Sequence, residues 1–467
     1  MAVPTRSVLS AGHLAMMRRI CSAAIIILAI AVTVLTVMSA RPALSAGLTE
    51  GWTKVATGGF TDRNNSYAPT TIEYRGFFYL STVANRSGSI FSGSQKQGGD
   101  IWRSPDGIAW EQIGEPGLGN PHNASFNFVV FHDKLYALAG NINDHGVEVW
   151  VSGDGVTFTR IVEDGFGDST NNWANGLVFE DRLILAVAGA KSGPSLWVSD
   201  DGATFHEAAA SGLDGSGNTG FSLVREQPVL KGRLYIGTTN PSAGGEIWRT
   251  ADGLNWERVA AKGLERTTNT SITPYLIFKD QIYAIGASTG SLDKLKGVEV
   301  YRSSDGLSWE RVVSDGFDQG RERNVTASLA VFSDRLYLTA NTMDPRILMP
   351  GHPRERLKPR GFQLWVSDDG SDWLQVGKDG FSAATTLYGN TTVIEGVAYL
   401  SAFDYHKGSQ LYRSEDGVTW TLIYREPDPS LFGMGGGAID FKNHLLWLDH
   451  DLALGLEIWR QDMALTP

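Results

Sequence analysis

The stretch Ile101-Trp102-Arg103-Ser104-Pro105-Asp106-Gly107-Ile108-Ala109-Trp110 decides the fold, because versions of it recur through the whole chain. Its first aromatic returns as Trp150, Trp197, Trp248, Tyr301, Trp365, Tyr412 and Trp459. Four residues after each of the first seven aromatics stands an Asp-Gly pair, beginning at Asp106, Asp154, Asp201, Asp252, Asp305, Asp369 and Asp416. Four residues further on comes a second aromatic: Trp110, Phe158, Phe205, Trp256, Trp309, Trp373 or Trp420. Two steps that never vary predict a tight hairpin of fixed register.

Upstream of each hairpin lies a second strand pair. Its later strand carries Phe78-Tyr79, Leu135-Tyr136, Leu183-Ile184, Leu234-Tyr235, Ile282-Tyr283, Leu336-Tyr337, Ala398-Tyr399 and Leu445-Leu446, with Gly, Asp or Asn at the preceding turn. Each unit of roughly fifty residues therefore predicts four short antiparallel strands, A to D, with no helical period between them. The expected fold is all-β, an eight-bladed β-propeller of four-stranded blades. The eighth unit ends after strand C, at Arg460-Gln461-Asp462, while the chain after residue 46 opens with a spare strand, Gly51 to Val55. Trp52 precedes Tyr79 by 27 residues, within the 26 to 30 that separate each D-strand aromatic from the next B-strand marker. The N-terminal strand is thus expected to close the last blade and cover two free sheet edges.

The hairpin signature Ser/Thr-x-Asp-Gly-x-x-Trp/Phe, as in Ser104 to Trp110, Ser303 to Trp309 and Ser414 to Trp420, resembles the Asp-box (BNR) repeat of sialidase-like propellers. The family pattern has one more residue between Asp and Gly, which all seven copies here lack. The resemblance covers the body of the chain and implies the fold. A sialidase would need an arginine cluster, a tyrosine nucleophile with a glutamate partner, and an aspartate acid. The nearest match to its first arginine motif, Tyr74-Arg75-Gly76-Phe77, departs at the last two positions, and no catalytic residue carries over. In the turn itself, the Asp and Ser oxygens are expected to accept backbone N–H groups, a structural part.

The 467 residues carry 40 basic and 51 acidic side chains, a net charge of −11. Residues 1–46 hold Arg6, Arg18, Arg19 and Arg41 and no acid, so the body is more acidic still and nucleic acid is not an expected partner. Residues 1–46 read as an export signal: Arg18-Arg19, an uncharged run from Ile20 to Met38, then Ala43-Leu44-Ser45-Ala46 for cleavage. If uncleaved, that run is long enough to anchor the chain to a membrane, its one membrane contact. The body, residues 47–467, is expected outside the cytoplasm: periplasmic, secreted or at the cell surface, as a monomer. The only cysteine, Cys21, lies in the leader, which excludes disulfides and thiol chemistry from the body.

Spans from the B-strand marker to the C-strand aromatic are 13 or 14 residues except in units one, five and six, where they are 23, 18 and 28. Length variation is thus concentrated on the face built by B–C and D–A loops, where recognition is expected. The unit-six insertion brings Arg354, Arg356, Arg360 and His352, and the neighbouring D–A loop Arg321 and Arg323: a basic arm suited to an anionic ligand. An asparagine opens most A strands, among them Asn171 and Asn324, and either caps loop backbone or lines a polar funnel. Asp449 and Asp451 are the weak metal candidates, calcium being the ion they would suit; no cofactor is otherwise expected. The function expected is a non-catalytic recognition module for a glycan or protein, the alternative being a carbohydrate-active hydrolase or lyase.

Overall fold

In the first unit, alternating residues and turn chemistry make four strands: Asn65–Tyr74 (A), Phe77–Ala84 (B), Ile101–Ser104 (C) and Glu111–Ile113 (D), hydrogen-bonded in that order. The computed structural model describes residues 48–60, 62–84, 98–141, 145–189, 191, 193–209, 212–288, 296–319, 324–342, 360–404, 406–429, 433–451 and 454–463. Residues 1–46, read above as an export signal, therefore lie outside the described residues.

Among the described residues there are seven sheets, six of four strands and one of nine. Eight separate sheets were the expectation from the repeat; units four and five share the nine-stranded one. Their link is a single pair, Thr239 with Ser271. The reason is local. Strand A of unit four is broken into Gly220–Ser222 and Val229–Leu230, and strand B of that unit (Arg233–Thr239) reaches past the break to the next unit.

The N-terminal strand, Thr53–Ala56, joins the last sheet as expected, pairing antiparallel with Glu457–Asp462. Trp52 is buried beside it, its ring 5.5 Å from that of Tyr424 and its indole N–H on the Ile423 carbonyl at 2.9 Å. Leu48 bridges to Arg425, so the closing segment also grips unit seven.

Consecutive units share one apolar cluster at each junction, and the first such pair illustrates the rest: Tyr79 and Ile101 of unit one pack with Phe126, Leu135 and Ala137 of unit two. Units four and five have such a cluster, as do eight and one. The fully buried tyrosines of strand B explain the B-strand marker. In unit two, a Cβ on the turn glycine Gly155 would overlap the Tyr79 hydroxyl of unit one. The same meeting recurs between Tyr235 and Gly306, Tyr283 and Gly370, and Tyr337 and Gly417. These glycines also hold φ between 71 and 78°, so the turn needs glycine for both space and backbone angle.

Candidate functional site

Strand A is innermost: the A strands of units one to three, and of five to eight, lie side by side, and that of unit one meets unit eight again. They enclose a central channel. One end of it is crossed. Residues 223–228 leave the broken A strand of unit four, and the Arg225 guanidinium donates to the Thr71 carbonyl of unit one at 3.0 Å. Those units are not neighbours in the chain, and Thr71 lies near the A–B turn, so the crossing obstructs that end.

The other end, at the start of the A strands, carries tyrosines. Tyr388 keeps 44% of its surface open, yet burial pushes its hydroxyl's pKa up. The Tyr67 phenol adds to that shift; deeper in the channel, at the level of Thr71, burial pushes Tyr275 up to about 12, with the phenol of Tyr388 adding to the shift. Tyr67 also packs on His450, ring centroids 4.7 Å apart. Buried hydroxyls join neighbouring units: Ser271 donates to Ser222 at 2.9 Å, and Thr339 and Thr391 are 2.9 Å apart.

The asparagines at the channel mouth are staples. Asn171 donates to the Gly165 carbonyl at 2.8 Å, and Asn324 to Gly316 at 3.0 Å and to Gln363 at 2.8 Å. Both side chains are buried. Their own carbonyls accept from the preceding unit, Val147 N–H on Asn171 at 2.6 Å and Val298 N–H on Asn324 at 2.7 Å. Unit eight meets unit one the same way, Leu456 N–H on the Asn65 carbonyl at 2.8 Å. Asn171 and Asn324 thus cap and join units. Of the basic arm, Arg321, Arg323, His352, Arg354 and Arg356 lie outside the described residues; Arg360 is described and exposed.

Sequence reasoning missed the acceptors beneath the asparagines. Two residues before the C-strand aromatic, Asp100, Glu148, Glu246 and Glu299 are buried. In unit two, Glu148 accepts from Asn123 (2.7 Å), the Trp150 indole (3.0 Å) and Arg160 (2.8 Å); units four and five repeat the pattern with Arg258 and Arg311. The signal was present as acid-x-aromatic followed by arginine two residues after the D-strand aromatic.

Asp449 and Asp451 lie on strand B of unit eight, both buried, with His450 on the opposite face. Asp449 accepts from the Ser409 hydroxyl at 2.6 Å and the Tyr424 hydroxyl at 3.1 Å, and Asp451 from the Leu454 N–H at 2.7 Å. Burial and repulsion from neighbouring carboxylates hold the Asp449 and Glu426 carboxyls well above the usual range. Both are 6% exposed or less, so no substrate reaches them. Among the described residues no set of three His, Cys, Asp or Glu side chains is placed to hold a metal ion.

No protein-family model and no curated protein matches the sequence. Solved structures do resemble the fold. A prolyl endopeptidase superposes over 83% of this chain at a TM-score of 0.49 and 9% identity, the chain spanning 55% of that protein's length. The polysaccharide lyase Uly1 matches over 91% of this chain and 100% of its own, TM-score 0.44, 10% identity. The propeller domain of the Trilobed protease of Pyrococcus furiosus matches over 78% of this chain and 99% of its own, TM-score 0.40, 12% identity. Trypanosoma rangeli sialidase matches over 91% and 60%, TM-score 0.36, 12% identity.

Proposed function

We propose that this chain is an exported, non-catalytic recognition module, an eight-bladed propeller whose open channel mouth receives a glycan. The observation that carries the reading is the channel itself: crossed by Arg225 at one end, and walled at the other by Tyr67 and the half-open Tyr388. A concave, aromatic, hydroxyl-rich surface suits a polyhydroxylated ring. The basic unit-six insertion, with Arg354, Arg356 and Arg360 in its sequence, offers an anionic glycan a second hold.

Eight blades are supported by the apolar clusters, which fall between every consecutive pair of units, four and five included. The nine-stranded sheet then counts as two blades joined at Thr239 and Ser271. A glycan array with the purified body, run beside a panel of chromogenic glycosides, tests the function. Binding without chromophore release is expected. Turnover of any glycoside replaces this reading with the hydrolase one.

A further inference from the structure

In units one, two, three, seven and eight the A strand has a bulge at its channel-mouth end, and the first paired residue inside it is Tyr67 in unit one, Ser125 in unit two, Trp173 in unit three, Tyr388 in unit seven and Gly435 in unit eight. Unit eight lies between units seven and one. At this level, therefore, one side chain is missing between two tyrosines.

The vacancy continues along the strand. A Cβ on Gly437 would meet nothing within 4 Å, and one on Gly435 only the Phe403 Cβ, at 3.5 Å. Gly436 differs, because a Cβ there would run into the Trp447 ring on the opposite side. Gly435 requires glycine for its φ of 85°. Gly437 has no positive φ, so neither backbone angle nor crowding accounts for its bare backbone; what remains is open space. As the edge strand of its sheet, Gly433–Phe441 also turns alternate N–H and C=O groups away from strand B. His450 sits opposite Gly435 in the ladder and against Tyr67. Its Nε2 is buried with no hydrogen-bond partner among the described residues.

We propose that this slot seats one uncharged pyranose ring of a glycan, with Tyr67 and Tyr388 as its walls and His450 and the bare backbone of Gly435 to Gly437 as its polar floor. This deepens the glycan-binding reading above and rests on it. A sugar ring offers C–H bonds on its faces and hydroxyls at its rim, which matches aromatic walls and peptide groups beneath. Burial holds the His450 imidazole down to about 4, so above that pH it presents a neutral donor or acceptor. Phenol, imidazole and peptide groups give a buried carboxylate or sulfate no counter-ion, which favours the neutral ring.

The test is affinity electrophoresis of the whole body through gels containing mannan, xylan or β-1,3-glucan, with alginate and heparin as charged comparators. Retardation by at least one neutral polymer is expected. Gly437→Val fills the slot with a residue that strands favour, and Tyr388→Ala removes a wall; each should weaken that retardation about tenfold or more with the melting temperature nearly unchanged. Should Gly437→Val fail to fold, Tyr388→Ala carries the test alone. Retardation that survives the substitutions, or that only alginate or heparin causes, overturns the slot and leaves glycan recognition standing. Retardation in none of the gels overturns both.

Discussion

The Asp-Gly turn shows why a four-residue step is invariant. Asp252 Oδ1 accepts the N–H groups of Leu254 at 2.9 Å and Asn255 at 2.8 Å, while the Thr250 hydroxyl accepts that of Gly253 at 2.8 Å. These N–H groups lie near solvent, so Asp252→Ala should cost about 1 kcal/mol, read by urea denaturation, with glycan binding intact. Gly306→Ala should cost more, about 2–4 kcal/mol, because the new methyl needs a left-handed backbone and overlaps the Tyr235 hydroxyl. Equal costs would mean that the contact between units is unimportant. The same bonds hold the Asp305, Asp369 and Asp416 carboxyls down to about 2. Their contribution is complete above the ordinary carboxylate pKa and disappears as pH falls through about 2, so the melting temperature should drop across that acid range. The aspartate, glycine and aromatic were all legible in the sequence, being local to one hairpin. The tyrosine that fills the space above five of the seven glycines was legible only as a marker, since its partner lies in the next unit.

At the scale of elements, the junction of units seven and eight is the one that carries an unusual electrostatic load. Glu426, just past strand D of unit seven, accepts the Ser409 N–H at 3.0 Å, and Asp449 of unit eight accepts the Ser409 hydroxyl. Asp451 and Glu457 add negative charge, and Lys54 answers Glu457 at 2.9 Å. Burial and repulsion raise both carboxyls, so the folded state keeps protons that the unfolded chain releases above about pH 4.5. Stability therefore falls as pH rises from there through neutrality. Glu426→Gln keeps an acceptor for Ser409 and removes the titration. It should flatten the fall of melting temperature with pH and leave the variant more stable than the parent at pH 9; parallel curves would remove the pair from the account. Nothing in the repeat pattern announced this pair, because Glu426 and Asp449 belong to different units and meet only once the ring is assembled. The slot beside Gly437 was hidden for the same reason. The Gly433 to Gly437 run is conspicuous in the sequence, but its meaning depends on Tyr388 and Tyr67, which flank it only in three dimensions.

For the whole molecule, everything turns on closing the circle, and two contacts do so at different radii. Near the axis, Arg225 of unit four reaches Thr71 of unit one. At the rim, Thr53–Ala56 completes the last sheet, and Leu48 and Trp52 extend the grip to unit seven. The inner contact is one exposed hydrogen bond, worth about 1 kcal/mol, so Arg225→Ala should leave stability nearly unchanged. The outer contact is of another order. Removing residues 47–57 deletes a strand and its ladder with Glu457–Asp462, and takes Trp52 out of a cluster that includes Tyr424, Trp447 and Trp459. Burying a large aromatic contributes about 2–3 kcal/mol by itself, and the edge of Glu457–Asp462 is left open to other chains. The truncated body should therefore melt at least 10 °C lower and associate in sedimentation, while Arg225→Ala sediments as the parent does. A truncation that melts and sediments as the parent does would mean that the apolar junctions and the Leu456 to Asn65 bond close the ring unaided, with the N-terminal strand as cover only.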